Sequence, residues 1–225
     1  MHEWYAAPME GLTGWRWRQV QHEMFGRAAL YVTPFVSPNG NFSFQRKELE
    51  ELDPERNRGI PVVPQILTNR AEYFVWAAKE CRSRGWAQVD LNLGCPSGTV
   101  TGKKKGAGLL RQPELLRQLL DGIFDALPDM KISVKTRIGW ERAEEWPALL
   151  ALLETYPICR LTVHPRVRTQ FYKGTADREV FRWTAEHTAL PLCYNGDVTT
   201  VRDLWEMGEA FPDDAVMVGR GLVAD

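Results

Sequence analysis

Residues 85–96, Gly85-Trp86-Ala87-Gln88-Val89-Asp90-Leu91-Asn92-Leu93-Gly94-Cys95-Pro96, pass from a glycine through an apolar strand into a tight, polar turn. Before them, Tyr73, Trp76, Ala77 and Cys81 recur at helical spacing behind Asn69, which predicts an amphipathic helix capped by Asn69 and stopped by Gly85. After them, Pro113 opens a second helix with the apolar stripe Leu115, Leu116, Leu119, Leu120 and Ile123. A short strand, Ala87–Leu91, between two longer helices is one βα unit, and its repetition decides the fold class.

The unit does repeat. Runs rich in apolar and β-branched residues occur at Trp4–Ala7, Leu30–Val36, Val62–Ile66, Ala87–Leu91, Lys131–Thr136, Arg160–His164, Leu192–Tyr194 and Ala215–Val218. Several are apolar through most of their length, as strands covered on both faces should be. Thr13 is placed to cap a helix through Met24 that Gly26 ends, and Trp146–Leu153 and Val201–Met207 supply further helices. The expectation is one domain, residues 1–225: an α/β protein with a (β/α)₈ TIM barrel. Eight strands face only seven outer helices, because the sequence stops at Asp225 just past the last strand. The chain therefore reads as truncated, lacking the eighth helix. Apolar surface is expected on the outward face of the last strand and on the flanks of the first and seventh helices, which favours instability or self-association.

Composition agrees with a single core. The 225 residues are 44% hydrophobic, somewhat short of the about 250 residues usual for this barrel. A formal net charge of -1 excludes nucleic-acid binding by bulk electrostatics, so any RNA contact must come from local patches. Cys81, Cys95, Cys159 and Cys193 show neither close pairing nor a secretory leader, which points to reduced thiols in a cytoplasmic protein without a metal site. No apolar run reaches the about 20 residues of a membrane span.

In barrel enzymes the chemistry sits at the C-terminal ends of the strands. Here those ends read Ala7-Pro8-Met9-Glu10-Gly11, Gln65, Asn92-Leu93-Gly94-Cys95-Pro96, Lys135-Thr136-Arg137, His164-Pro165-Arg166, Asn195-Gly196-Asp197 and Gly219-Arg220-Gly221. Asn195-Gly196-Asp197 alone would be an ordinary strand exit. Paired with Gly219-Arg220-Gly221 at the last two strands, it predicts a phosphate site, where glycine lets backbone N–H groups approach an anion and Arg220 adds charge. Lys135 and His164 are placed to lie along the ligand beyond its phosphate; a cation there would stabilise a reduced flavin. Taken singly, Lys135 is as readily a solvated strand end and His164 a core histidine.

Cys95 sits in a loop of tight-turn residues over the barrel mouth, whereas Cys81, Cys159 and Cys193 read as small core residues. With an ordinary pKa of roughly 8.5 the thiol is mostly protonated at neutral pH, which suits a general acid. A nucleophile is the alternative, but no activating partner is evident nearby. Lys103-Lys104-Lys105-Gly106-Ala107-Gly108 follows on the same face, and with Arg166, Arg168 and Lys173 it would form a positive rim suited to a phosphate backbone.

These strand-end segments, in this order and closing with Val218-Gly219-Arg220-Gly221, resemble the tRNA-dihydrouridine synthase family, most specifically in Asn92-Leu93-Gly94-Cys95-Pro96 followed by Gly106-Ala107-Gly108. The resemblance implies FMN held by Pro8, Met9, Gln65, Lys135, His164, Asn195, Gly196, Asp197, Gly219 and Arg220. It implies NADPH as reductant, hydride transfer from the flavin to C6 of a uracil in tRNA, and Cys95 as proton donor to C5. Asn92 and Arg166 would contact the flipped-out base or its phosphate, and Lys103, Lys104 and Lys105 the RNA. The family's C-terminal helical domain, which grips tRNA, does not occur before Asp225. The nearest rivals are an FMN barrel acting on a free pyrimidine, which has no use for the basic loops, and a tRNA-binding module without redox function, which has no use for Cys95 and the phosphate motifs.

Overall fold

A computed structural model of the chain describes residues 3–223. Every strand pairing among them is parallel, in the order β3-β2-β1-β9-β8-β7-β6-β5-β4. The strands are β1 (Trp4–Ala6), β2 (Leu30–Val32), β3 (Val62–Val63), β4 (Gln65–Ile66), β5 (Gln88–Leu93), β6 (Lys131–Arg137), β7 (Arg160–His164), β8 (Leu192–Tyr194) and β9 (Ala215–Val218). The two ends of this order, β3 and β4, are consecutive pieces of one run interrupted at Pro64, so the ring closes into the expected eight-position barrel. Pro64 has no N–H to give the ladder. Around it the Gln65 N–H turns to the Thr33 hydroxyl at 3.0 Å, and the Pro64 carbonyl accepts from Asp90 N–H at 2.8 Å.

Among the described residues seven outer helices follow the strands: α1 (Trp15–Met24), α2 (Arg46–Glu51), α3 (Ala71–Ser83), α5 (Pro113–Ala126), α6 (Trp146–Leu153), α7 (Arg178–His187) and α8 (Val201–Ala210), with a single-turn α4 (Gly98–Thr101) inserted after β5. Within the described residues β9 is followed only by a 3₁₀ turn, Arg220–Leu222. Val20 and Met24 on α1 and Val201 and Trp205 on α8 are exposed. No helix among the described residues is long and apolar enough to cross a membrane.

Three local expectations need correction. Thr13 does not cap α1: its hydroxyl accepts from Met9 N–H at 2.8 Å, and Gly14 is the cap residue. Asn69 does not cap α3, since its amide donates to the Lys103 carbonyl at 3.1 Å. The run Leu30–Val36 leaves the ladder at Val32, before Pro34, and Val36 returns only as an isolated bridge to Ile66.

The apolar strand positions alternate with polar ones more than full coverage on both faces would give. Val89, Leu91, Leu93, Ile132, Val134, Leu161 and Val163 belong to the large core between sheet and helices. Their neighbours Asp90, Asn92, Ser133, Lys135, Arg137, Thr162 and His164 fall on the other face, the barrel interior, by the two-residue period of a strand. Tyr5, Ala7, Val32, Cys193, Ala215 and Met217 form a separate apolar cluster from the strands on the opposite side of the ring.

Candidate active site at the mouth of the barrel

The strand ends converge on a cavity of about 430 Å³, within the range of small-ligand sites. Pro8, Met9, Gln65, Asn92, Cys95, Lys135, His164, Asn195, Gly196, Asp197, Gly219 and Arg220 all line it. Residues scattered over more than 200 positions of sequence are thus brought to one wall system by the barrel alone.

The phosphate-like corner is built from backbone constraints. A Cβ on Gly196 would lie 2.5 Å from the Ala176 Cβ, and one on Gly221 would lie 2.6 Å from the Val198 carbonyl oxygen, so neither position tolerates a side chain. Asp197, at φ +40°, accepts from Arg220 through Oδ1 at 2.9 Å and from Arg166 and Ala176 N–H through Oδ2 at 2.6 and 2.7 Å. Burial pulls its carboxyl upward, but the Arg166 and Ala176 hydrogen bonds outweigh that and leave it below its usual value.

Lys135 reaches across the mouth to Asn195 Oδ1 at 2.6 Å, and Asn195 anchors itself by donating to the Met217 carbonyl at 2.9 Å. Burial, with Arg137 nearby, lowers the Lys135 ammonium to about 8. Burial and the cations Lys135, Arg137, Arg166 and Arg220 push His164 well below its usual value, so the ring is neutral. The four cations Lys135, Arg137, Arg166 and Arg220 against Asp197 and Glu10 make the mouth electropositive, as a site for an anionic ligand requires.

Cys95 is fixed from both sides of its peptide. Its N–H donates to Asn92 Oδ1 at 2.9 Å, and its carbonyl accepts from Ala107 N–H at 3.1 Å. Gly106, at φ +55° and packed against Cys95, allows that return of the chain. Burial raises the thiol above its usual pKa, so it carries its proton at neutral pH. At neutral pH Cys95 therefore carries its thiol proton and His164 is uncharged.

Other predicted residues lie elsewhere. Arg166 is off the cavity wall, 1% exposed, its guanidinium committed to Asp197, to His164 and to the Lys173 and Gly174 carbonyls. It is not free to grip a base. Lys103 and Lys104 are exposed on the flank of the mouth, and Lys105 turns inward to donate to Ser37 Oγ at 3.1 Å. Arg168 ties that flank to the loop after β7 by donating to Thr101 Oγ1 at 3.1 Å, and it shares the Trp140 ring with Arg111, at 4.6 and 4.3 Å from the centroid.

Arg137, Tyr172, Glu10 and Phe35 also line the cavity and were given no role there from sequence. Arg137 is buried and donates to the Gly94 and Val167 carbonyls at 3.1 Å each. Tyr172 stands over the opening, under the Arg220 guanidinium at 4.8 Å. Glu10 and Phe35 complete the rim. Arg137 and Glu10 were visible as strand-end residues; Phe35 and Tyr172 sit in loops with no local signal.

The sequence profile of the family described as dihydrouridine synthase (Dus) matches residues 5–225. A relative from Rhizobium leguminosarum bv. phaseoli named "Probable tRNA-dihydrouridine synthase" is 33% identical over 96% of this chain and 67% of its own length. The "tRNA-dihydrouridine synthase B" of Proteus vulgaris is 31% identical over 96% of this chain and 66% of its own. The chain thus spans about two thirds of the length of the relatives it matches. Among solved structures, the old yellow enzyme homologue from Zymomonas mobilis superposes with a TM-score of 0.64 at 11% identity, covering 97% of this chain and 84% of that one. Morphinone reductase superposes with a TM-score of 0.63 at 11% identity, over 99% and 84%. At such identity these likenesses concern the barrel fold alone.

Proposed function

The chain belongs to the dihydrouridine synthase family, and on that premise we propose that it is an FMN-dependent enzyme that reduces a uridine of tRNA to 5,6-dihydrouridine with NADPH. The observation that carries this reading is the meeting of Cys95, with a protonated thiol, and the glycine-built, arginine-flanked ends of β8 and β9 in one electropositive cavity.

The residues present fit a flavin mononucleotide. Gly196 and Gly219 line the cavity with backbone alone, Arg220 would supply the counter-charge of a phosphate, and Pro8, Met9, Gln65 and Met217 offer walls for a flat ring. Lys135, held by Asn195, brings a cation to the interior, where reduction of a flavin adds negative charge. When bound, FMN supplies hydride to C6 of the uracil after accepting it from NADPH.

The chain's own part is orientation and proton supply. Cys95 gives its thiol proton to C5, balancing the hydride at C6, and the resulting thiolate is repaid from solvent. Asn92 and Arg137 line the cavity with Cys95, and their hydrogen bonds to Gly94 and Cys95 and to the Gly94 and Val167 carbonyls hold the loop that carries it. Lys103, Lys104, Arg111, Arg168 and Lys173 give the flank of the mouth the charge that an RNA backbone needs, which a free pyrimidine does not.

The test is to reconstitute the protein with FMN, follow flavin bleaching by NADPH anaerobically, add unmodified tRNA, and quantify dihydrouridine by nucleoside mass spectrometry. Flavin binding, tRNA-dependent reoxidation and product are expected together. Flavin binding with reoxidation by free uracil derivatives but not by tRNA would replace the substrate assignment.

A further inference from the structure

Asp90 is a buried carboxylate in the middle of β5, below the cavity and outside its lining. We propose that Asp90 is a positioning residue that sets the direction of the hydrogen-bond chain holding the Cys95 loop, an inference that rests on the reading of Cys95 as proton donor.

The chain is continuous and internal. Ser133 Oγ donates to Asp90 Oδ1 at 2.7 Å, and Gln65 Nε2 donates to Asp90 Oδ2 at 2.8 Å. Asn92 Nδ2 donates to Gln65 Oε1 at 2.7 Å, and Asn92 Oδ1 accepts from the backbone N–H groups of Gly94 and Cys95 at 3.1 and 2.9 Å. Strand register explains why these side chains meet: Asp90 lies opposite Gln65 on β4 and Ser133 on β6.

Its polarity is fixed from both ends. An ionised carboxylate only accepts, so Gln65 must present its NH₂ group to Asp90 and its carbonyl to Asn92. Backbone N–H groups only donate, so Asn92 must present its carbonyl to the Cys95 loop and its NH₂ to Gln65. The two amides share one consistent orientation, and reversing either would place donor against donor or acceptor against acceptor in a buried site. Burial pushes the Asp90 carboxyl up to about 6, against the hydrogen bonds from Gln65 and Ser133 and the nearby Lys135, so it is still the acceptor at neutral pH.

A group that only filled space would be replaceable by an apolar residue of its size. Asp90→Leu removes the acceptor that orients Gln65, whereas Asp90→Asn retains one, with Ser133 turning to accept the new NH₂. The measurements are the rate of iodoacetamide alkylation at Cys95, read by peptide mass spectrometry, and tRNA-dependent flavin reoxidation. With Asp90→Leu, alkylation should quicken and reoxidation slow, each by about tenfold, the size expected for one buried hydrogen bond, with NADPH reduction of the flavin little changed. Asp90→Asn should recover most of both. Wild-type alkylation and reoxidation in a folded Asp90→Leu protein would overturn the proposal.

If Asp90→Leu does not fold, a swapped pair decides. Gln65→Glu sets acceptor against acceptor, and adding Asp90→Asn restores a donor facing an acceptor at every link. The double variant should exceed Gln65→Glu by about tenfold in reoxidation and return Cys95 alkylation toward the wild-type rate. A double variant no better than the single one would overturn it. The alkylation readout needs neither flavin nor tRNA. Failure of turnover in the native protein therefore counts against the proposed function, whereas indifferent alkylation counts against the Asp90 chain.

Discussion

Arg166 donates from Nη1 to Nε2 of His164 at 3.0 Å. A guanidinium has no acceptor, so Nε2 is the bare nitrogen and Nδ1 carries the ring proton. The same guanidinium holds Asp197, which holds Arg220. One buried cation therefore joins the tautomer of an interior histidine to the anion corner of the cavity.

Arg166→Ala should uncouple these parts. Asp197 loses its buried partner and two carbonyls lose a donor, so stability should fall by about 2 kcal/mol or more and FMN affinity should fall with it. Thermal melting and calorimetry read the two effects. Unchanged FMN affinity in a folded Arg166→Ala protein would show that Asp197 and Arg220 keep their places unaided.

Arg220→Ala tests the anion corner more locally, because its side chain is half exposed and its loss leaves no cavity in the core. FMN affinity should drop by roughly 1.5–3 kcal/mol, the size of one charge-assisted hydrogen bond, with little change in melting temperature. Riboflavin, which has no phosphate, should bind equally to both proteins. Equal loss for riboflavin would place Arg220 elsewhere along the ligand.

Gly196→Ala should damage the fold and the site together. The added methyl would stand 2.5 Å from the Ala176 Cβ, which cannot move without its backbone, and 2.9 Å from the hydroxyl of the buried Tyr194 ring. Overpacking of this kind costs about 1–3 kcal/mol, visible as a lower melting temperature and weaker FMN binding. A melting temperature equal to wild type would mean that the loop after β8 gives way freely.

Lys135 predicts a pH dependence of opposite sign to its usefulness. Its ammonium falls from 10.5 to about 8 in the folded, flavin-free protein, so between those values the unfolded chain binds more protons. Folding stability from this group therefore rises as pH climbs from about 8 to about 10.5. Lys135→Met removes the buried cation: it should be more stable than wild type near pH 7, and the advantage should vanish by about pH 10.5. The same variant should bind reduced FMN less tightly than oxidised FMN relative to wild type. A stability difference independent of pH would contradict the burial of this charge.

The barrel and most of the cavity wall were legible because strand ends in this fold all point one way, so Pro8, Cys95, Lys135, His164, Asn195 and Gly219 need only be counted along the sequence to be brought together. What was not legible depends on contacts between strands. Asp90 looks like an interior polar residue until its register with Gln65 and Ser133 is known. Arg166 looks like a rim cation, and only its burial under Asp197 and His164 shows that it is spent within the protein. Thr13 and Asn69 have the right residue types for helix caps, but closer partners, Met9 N–H and the Lys103 carbonyl, claim their side chains.

The central claim is that Cys95 delivers the proton that completes reduction of a tRNA uridine, and Cys95→Ala tests it most directly. FMN binding and NADPH-driven flavin bleaching should stay near wild type, because Cys95 serves neither. Dihydrouridine formed per reduced flavin, measured by nucleoside mass spectrometry, should fall by about 10²-fold or more, as expected for loss of a positioned general acid. Dihydrouridine formed by Cys95→Ala at the wild-type rate would contradict the account.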